Sequence, residues 1–397
     1  MNNKLCKKIF SKEQKGIHDV YRILGVKFSF KNKEKVAQQK IILERDRASR
    51  IIQDTLDMSM LRKAKKVIVF LTPGRSYING GVMSIYSLCK TSRELNPDAF
   101  CSVVTYPNDY TYVVNDKFKN NELILRFEQI TENAKNAEEM IIHIPDFRAH
   151  RFYNDLKSNE IEFLKSIPRL QLNIMNQNIK LMPEPEKIKD LYLLTDNITQ
   201  TIAHDRYATQ EVCDKWGIPT HLFSVRIDMS AYKTYPFEEK EKIIVLSPDK
   251  NEYKERIVNK LKTELPDWEL VTVNNMTFNE YMDLIARAYF TVTFGEGFDG
   301  YFLQPHVVSS IGFSVYNDEF FPNEDWKKYQ NVYSSYEEML NRIVADVKQL
   351  QGDKEAYLTL TKDIKAEHDK LYNYDKFRNN LRNFYNGNYD FLPKENA

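Results

Sequence analysis

A chain of 397 residues suits two medium-sized domains better than one, because single hydrophobic cores stop growing well below that length. With 42% hydrophobic and 28% charged residues it has enough apolar matter for packed cores and an ordinary charge density, and no uncharged apolar run approaches the ~20 residues of a membrane span. The net charge of +1 hides an asymmetry, since residues 1–65 carry 17 Lys/Arg against 7 Asp/Glu and the remainder is acidic. A basic arm on an acidic body points to an anionic partner. With no nucleic-acid signature beside it, an anionic membrane surface is the functional reading and a solvated helical extension the plain one. Cys6, Cys89, Cys101 and Cys213 are scattered, as in a reducing compartment. No apolar segment follows the basic N-terminus, so no secretory signal is expected. The expectation is a cytoplasmic protein, peripheral on the inner face of a membrane.

In chain order, residues 17–62 read as helical from mixed three- and four-residue apolar spacings, within a basic extension assigned to 1–65. "KKVIVFLTP" then gives a short buried strand. "FCSVVTYP", "MIIHIPDF", "LQLNIMNQ", "ITQTIAH" and "THLFSV" follow as strands, separated by helical patterns at 82–95, 155–166 and 206–216. This alternation predicts a parallel sheet covered on both faces over 66–228. The rhythm fails at "RIDMSAYKTYPFEEKE", giving a linker at 229–241. A second set spans 242–365: strand "KIIVLSP", helix 253–264, strand "WELVTV", helix 278–288, strand "YFTVTF", a loop, and "FSVYN". Helices at 335–351 and 354–385 close the chain, with 366–397 packing back on the first domain. The fold class is α/β, two Rossmann-like doubly wound domains facing across a cleft, with ligands at the carboxyl ends of the strands.

The stretch "GEGFDGYFLQP" at 295 carries a choice of chemistry. Gly295, Gly297 and Gly300 have the G-x-G-x-x-G spacing of a dinucleotide turn. In that reading a helix starting near Gly297 would hold Pro305 in its interior, at a cost of ~3 kcal/mol, and no such motif follows the first strand. A helix starting near Tyr301 puts Pro305 in the first turn instead, with Glu296 and Gly297 in the loop beneath a helix start that favours phosphate. Gln304 then faces the same cleft.

The same segment resembles the donor-site signature of retaining glycosyltransferases of the GT-B fold. There a Glu, Gly-Phe-Gly-like residues and a second Glu eight positions on bind the donor. Glu296 and Gly297-Phe298 match, and Gln304 replaces the second carboxylate. The resemblance implies that Glu296 contacts sugar hydroxyls and that Gln304, neutral but still an acceptor, meets the ribose. It implies a diphosphate beside Gly80 and Gly81, where missing Cβ atoms let amides approach, and beside Lys250 and Lys254, which stand where the family places an Arg and a Lys. His204 falls near a small polar residue that starts a helix in these enzymes. Asn176, Gln177 and Asn178 stand where relatives place a sugar-contacting His, and Asn176 and Asn178 are the candidate acceptor binders. His143 and Asp146, at a strand end, are candidates to contact donor or acceptor or, if the reaction inverts, to act as base; a packed core histidine is the plain alternative for His143.

No H-x-x-x-H or H-E-x-x-H spacing occurs among seven histidines, and D-x-D, G-x-S-x-G and P-loop motifs are missing. The resemblance thus implies a metal-free transferase moving sugar from a nucleoside diphosphate donor, UDP- or GDP-linked. The acceptor is a glycan, lipid-linked or protein molecule. A nucleotide-sugar epimerase or phosphorylase of the same fold, or a non-catalytic partner protein, are the rivals.

Overall fold

The computed structural model describes residues 10–15, 18–23, 26–76, 78–118, 120–224, 229 and 232–394. Cys6, the rest of residues 1–9, and positions 230–231 of the expected linker lie outside the described residues.

The N-terminal expectation needs correction. The described residues between 10 and 31 form an antiparallel meander of β1 (Phe10–Lys15), β2 (His18–Ile23) and β3 (Val26–Lys31), with Val20 opposite Glu13 and Ser29. The reason is period. Val26, Phe28 and Phe30 alternate with Lys27, Ser29 and Lys31, a two-residue repeat that a helix would spread around its circumference. Helix α1 (Lys33–Asp54) starts only behind Asn32, whose side chain accepts from the Lys35 N–H at 3.2 Å. Its C-terminal half is held to the following lobe: Asp46 accepts from the Thr111 N–H at 2.8 Å, and buried Gln53 donates to the Ile124 carbonyl at 2.7 Å.

Strands β4 (Lys66–Thr72), β5 (Ala99–Thr105), β6 (Glu139–Pro145), β7 (Arg169–Asn176), β8 (Ile198–Ile202) and β9 (Thr220–Leu222) form one parallel sheet in the order β5-β4-β6-β7-β8-β9. Along β4, Val67, Val69 and Leu71 enter the core on one face and Ile68 and Phe70 that on the other. This two-sided burial is why the strand reads as an unbroken apolar run. Between strands lie α2 (Gly80–Leu95), α3 (Phe127–Asn133), α4 (Ser158–Lys165) and α5 (Gln210–Trp216). Helix α5 starts later than its pattern suggested, behind Thr209, which accepts from the Val212 N–H.

A second parallel sheet follows in the order β11-β10-β12-β13-β14, from β10 (Glu241–Leu246), β11 (Glu269–Thr272), β12 (Ala288–Val292), β13 (Ile311–Val315) and β14 (Val332–Tyr333). Helices α6 (Lys254–Glu264), α7 (Phe278–Arg287), α8 (Gly300–Val307), α9 (Tyr336–Gly352) and α10 (Lys354–Leu371) belong to this lobe. The final helical pattern is two helices, not one, because Asn373 caps a new start at α11 (Tyr374–Tyr385) and accepts from the Lys376 N–H at 2.9 Å. Phe377, Leu381 and Phe384 of α11 pack in the core of the first sheet beside Ile68 and Phe70. Where the chain enters the second lobe, buried Lys240 donates to the Ala286 carbonyl and the Ser310 hydroxyl, both at 2.8 Å, and burial pushes its ammonium down to about 7. The lobes touch directly: Met83 of α2 lies in the apolar cluster of Phe278, Tyr281 and Met282, and the Phe278 N–H donates to the Lys117 carbonyl at 3.1 Å.

Helix α8 also departs from expectation, since it starts at Gly300 and leaves Pro305 inside rather than in the first turn. Proline there cannot donate to the Tyr301 carbonyl. The Thr291 hydroxyl of β12 donates to that carbonyl instead, at 2.6 Å. Thr291→Val should therefore cost about 1–3 kcal/mol in chemical denaturation, and clearly less in a Pro305→Ala background, where an amide returns. Equal losses in both backgrounds would show that the hydroxyl does not replace the missing amide.

Candidate functional site

In each sheet the chain leaves the first strand toward one edge and then returns to its other side, so β4/β6 and β10/β12 are switch points whose carboxyl ends open a crevice. The two crevices meet in one cleft of about 940 Å³. From the first lobe it is lined by Gly80 and Gly81 after β4, Asp146 after β6, Gln177 and Asn178 after β7, and His204 after β8. From the second come Asp249 after β10, Met276 and Phe278 after β11, and Glu296, Asp299 and Gln304 after β12.

Loop 293–300 sets the position of Glu296. Gly297 has φ +88°, and a Cβ there would stand 2.5 Å from the Val315 carbonyl, so only glycine lets the loop lie this close to β13. Ser314 donates to the Gly297 carbonyl at 2.7 Å. Asp299 caps α8, accepting from the Tyr301 N–H at 2.9 Å and the Phe302 N–H at 3.1 Å, and receives the Thr293 hydroxyl at 2.6 Å. Phe298 is buried against Phe321 and Trp326. Between these anchors the half-buried Glu296 carboxylate faces the first lobe, where Asn178 donates to it at 3.3 Å. Two more contacts bridge the lobes here, both to Glu319: Lys180 pairs with its carboxylate at 2.8 Å and the Tyr207 hydroxyl donates to its carbonyl at 2.8 Å.

Burial raises the Glu296 carboxyl above the usual carboxylate range, with the Asp249 charge adding to the effect and Lys180 and Asn178 opposing it. Asp299, its carboxyl enclosed, is pushed up to about 6 by burial and by the Asp249 and Glu296 charges, against the Thr293 hydrogen bond.

The other sequence candidates divide. Gly80 and Gly81 open α2 behind Asn79, which accepts from the Val82 N–H at 2.8 Å. A Cβ on Gly81 would stand 2.9 Å from Gln177 Oε1, while Gly80 meets nothing within 4 Å. Asp146 reaches the cleft wall, but its carboxylate is a clamp: Oδ2 accepts from the amides of Gln177 (2.9 Å) and Asn178 (3.0 Å), and Oδ1 from that of Phe147 (2.6 Å). Burial nevertheless raises its carboxyl.

Four of the candidates lie outside the cleft lining. His143 is fully buried, stacked on Phe70 at 4.2 Å, with Asn173 at 3.0 Å on Nδ1 and Tyr385 at 3.2 Å on Nε2, and burial pushes it down to about 3. Pleat parity turns it away from the cleft into the α11 core. Asn176 is also buried, donating to Gln200 at 3.0 Å, and does not line the cleft. Lys254 spends its ammonium on the carbonyls of Ser247 (2.6 Å) and Asp249 (2.9 Å), and Lys250 is exposed; neither lines the cleft. Asp249 takes the inward place next to Lys250. The sequence reading passed over Asp249 and Asp299, although for Asp299 an Asp directly before a helical pattern is a cap signal. Among the described residues no group of three or more His, Cys, Asp or Glu is placed to hold a metal ion, and no helix is long and apolar enough to cross a membrane.

Two parallel α/β lobes with facing carboxyl ends and a last helix returned to the first lobe constitute the GT-B fold. The structure is similar to that of HepE from Anabaena, solved with UDP and glucose, at 9% identity and a TM-score of 0.52 over 81% of this chain and 99% of that one. It is also similar to sucrose-phosphate synthase from Thermosynechococcus elongatus, at 10% identity and a TM-score of 0.50 over 81% and 98%. No protein-family model and no curated protein matches the sequence.

Two tests follow from this geometry. His143→Ala should lower stability by about 2–4 kcal/mol and leave activity per folded molecule unchanged; lost activity in a folded variant would return His143 to the site. For Asp299, the unfolded carboxyl titrates near ~3.9 and the folded one at about 6. The folded state thus keeps a proton that the unfolded chain releases, so the Asp299 contribution to stability is largest below about pH 4 and is lost as pH rises to about 6. Asp299→Asn, which keeps a capping oxygen, should flatten that slope in melting temperatures taken across this window.

Proposed function

We propose that the protein is a glycosyltransferase that takes a sugar from a nucleoside diphosphate donor held by the second lobe and passes it to an acceptor held by the first. The observation that carries this reading is Glu296: a carboxylate held at the carboxyl end of β12, in the cleft, and reached by a side chain of the opposite lobe. A carboxylate so placed accepts hydrogen bonds from ring hydroxyls. Gln304 on the same cleft wall is the ribose contact in this reading. The HepE structure, whose fold this chain shares, holds UDP and glucose, which supports a nucleotide sugar as co-substrate.

With Lys254 and Lys250 outside the cleft, the departing diphosphate is met by the amino end of α2, where the amides of Gly80 and Gly81 reach the cleft wall and the helix dipole is positive. Lys365 of α10, paired with Asp369 at 2.5 Å, is the lysine of the cleft wall. Stabilisation of developing charge by such fixed groups supplies the catalysis. Inversion would need a free base in the first lobe. His143 is sealed in the core, and both oxygens of Asp146 are engaged by amides, so neither is free for that role; retention is the reading adopted, and His204 on the cleft wall is the first-lobe group an inverting reaction would use. The acceptor is a glycan, lipid-linked or protein molecule.

Calorimetry against UDP and GDP, followed by turnover with the sugar donors of whichever binds, tests this function. Glu296→Ala should reduce transfer ~100-fold or more with an unchanged melting temperature. Full turnover in that variant would remove Glu296 from the site, and donor conversion at the same rate without any acceptor would overturn the transferase reading.

A further inference from the structure

Helix α1 presents a face that the cleft does not use. Val36, Leu43 and Ile51 are exposed on it, Leu43 at 50% and Ile51 at 62%, while Ile41 and Ile52 are exposed on another side of the helix, and no residue of α1 lines the cleft. Val36, Lys40, Leu43, Arg47 and Ile51 follow one another at spacings of four, three, four and four, which stacks them in one stripe along the helix. The stripe points away from the face held to the first lobe through Asp46 and Gln53. Lys40 and Arg47 are both exposed, the Lys40 side chain at 78%. Glu44, beside the stripe, is paired with Lys40 at 3.8 Å.

We propose that this outward face of α1 docks the protein on an anionic bilayer surface. The apolar members fit the acyl boundary while the long stems of Lys40 and Arg47 carry their charges up to the headgroups. Charge complementarity selects this occupant. The first 65 residues carry ten more basic than acidic residues on a chain whose net charge is +1, so the basic end is drawn to an anionic surface while the acidic remainder is repelled from it. A second copy of the chain would set Lys40 and Arg47 against their own likeness in the middle of the stripe. A nucleic-acid backbone would leave Leu43 and Ile51 in water.

Flotation of the full chain with vesicles decides the question. Binding is expected to vesicles of phosphatidylcholine mixed with phosphatidylglycerol, to weaken with salt, and to be lost on phosphatidylcholine alone. Each basic residue at such a surface contributes about fivefold, so Lys40→Glu with Arg47→Glu should weaken binding at least about 30-fold. Leu43→Ser with Ile51→Ser should weaken it about tenfold or more. All four positions are solvent-facing, so circular dichroism and melting temperature should stay as in the parent. Failure to bind either vesicle, or equal binding to both, overturns the proposal. So does a dimer in light scattering that the serine variant dissolves, or duplex DNA binding that the charge reversal abolishes.

Discussion

The interaction on which the site depends is the close approach of Gly297 to β13. A backbone that would set a Cβ 2.5 Å from the Val315 carbonyl, fixed by the Ser314 hydroxyl, leaves loop 293–300 little freedom. Thr293, Asp299 and Thr291 then tie the loop and the first turns of α8 to the sheet by hydroxyl and carboxylate contacts. A side chain set between such anchors is oriented before any ligand arrives, the condition for electrostatic work at low reorganisation. Glu296 is that side chain. Two of the loop's glycines answer close contacts: Gly297 abuts β13, and a Cβ on Gly295 would meet the Asp249 carboxylate at 2.9 Å.

The lobes are joined by more than their crossover. Helix α10 ends at the cleft, where His368 and Tyr372 contribute to its wall, and the chain then turns at Asn373 into α11, whose aromatic residues fill the core of the first sheet. Any opening of the cleft must bend the chain at this turn as well as along the crossover. Met83 within the α7 cluster and the hydrogen bond between Phe278 and Lys117 keep the α2 side of the crevice packed.

The parallel sheets were legible because doubly buried strands such as β4, β6 and β12 are apolar runs between helical patterns, and burial on two faces permits little else. The meander was not, since its two-residue alternation in Val26, Phe28 and Phe30 is diluted by lysines that a solvated helix also carries. At the site, Glu296 and Gln304 were legible from spacing around a helix start. Direction was not: Asp249 and Lys250 follow β10 in a loop with no repeat to settle which of two neighbours faces the cleft. Pleat parity sends His143 of β6 into the core, while Asp146, just past the strand, reaches the wall and is consumed by backbone amides.

The amide of Asn178 already occupies Glu296 in the unliganded cleft. In the proposed reading, a ring hydroxyl that displaces this amide gains only the difference between two similar hydrogen bonds. Such a contact adds little to how tightly a ring is held. In that reading the contact acts on the lobes instead, because a hydroxyl that displaces the amide also breaks a hydrogen bond that joins them.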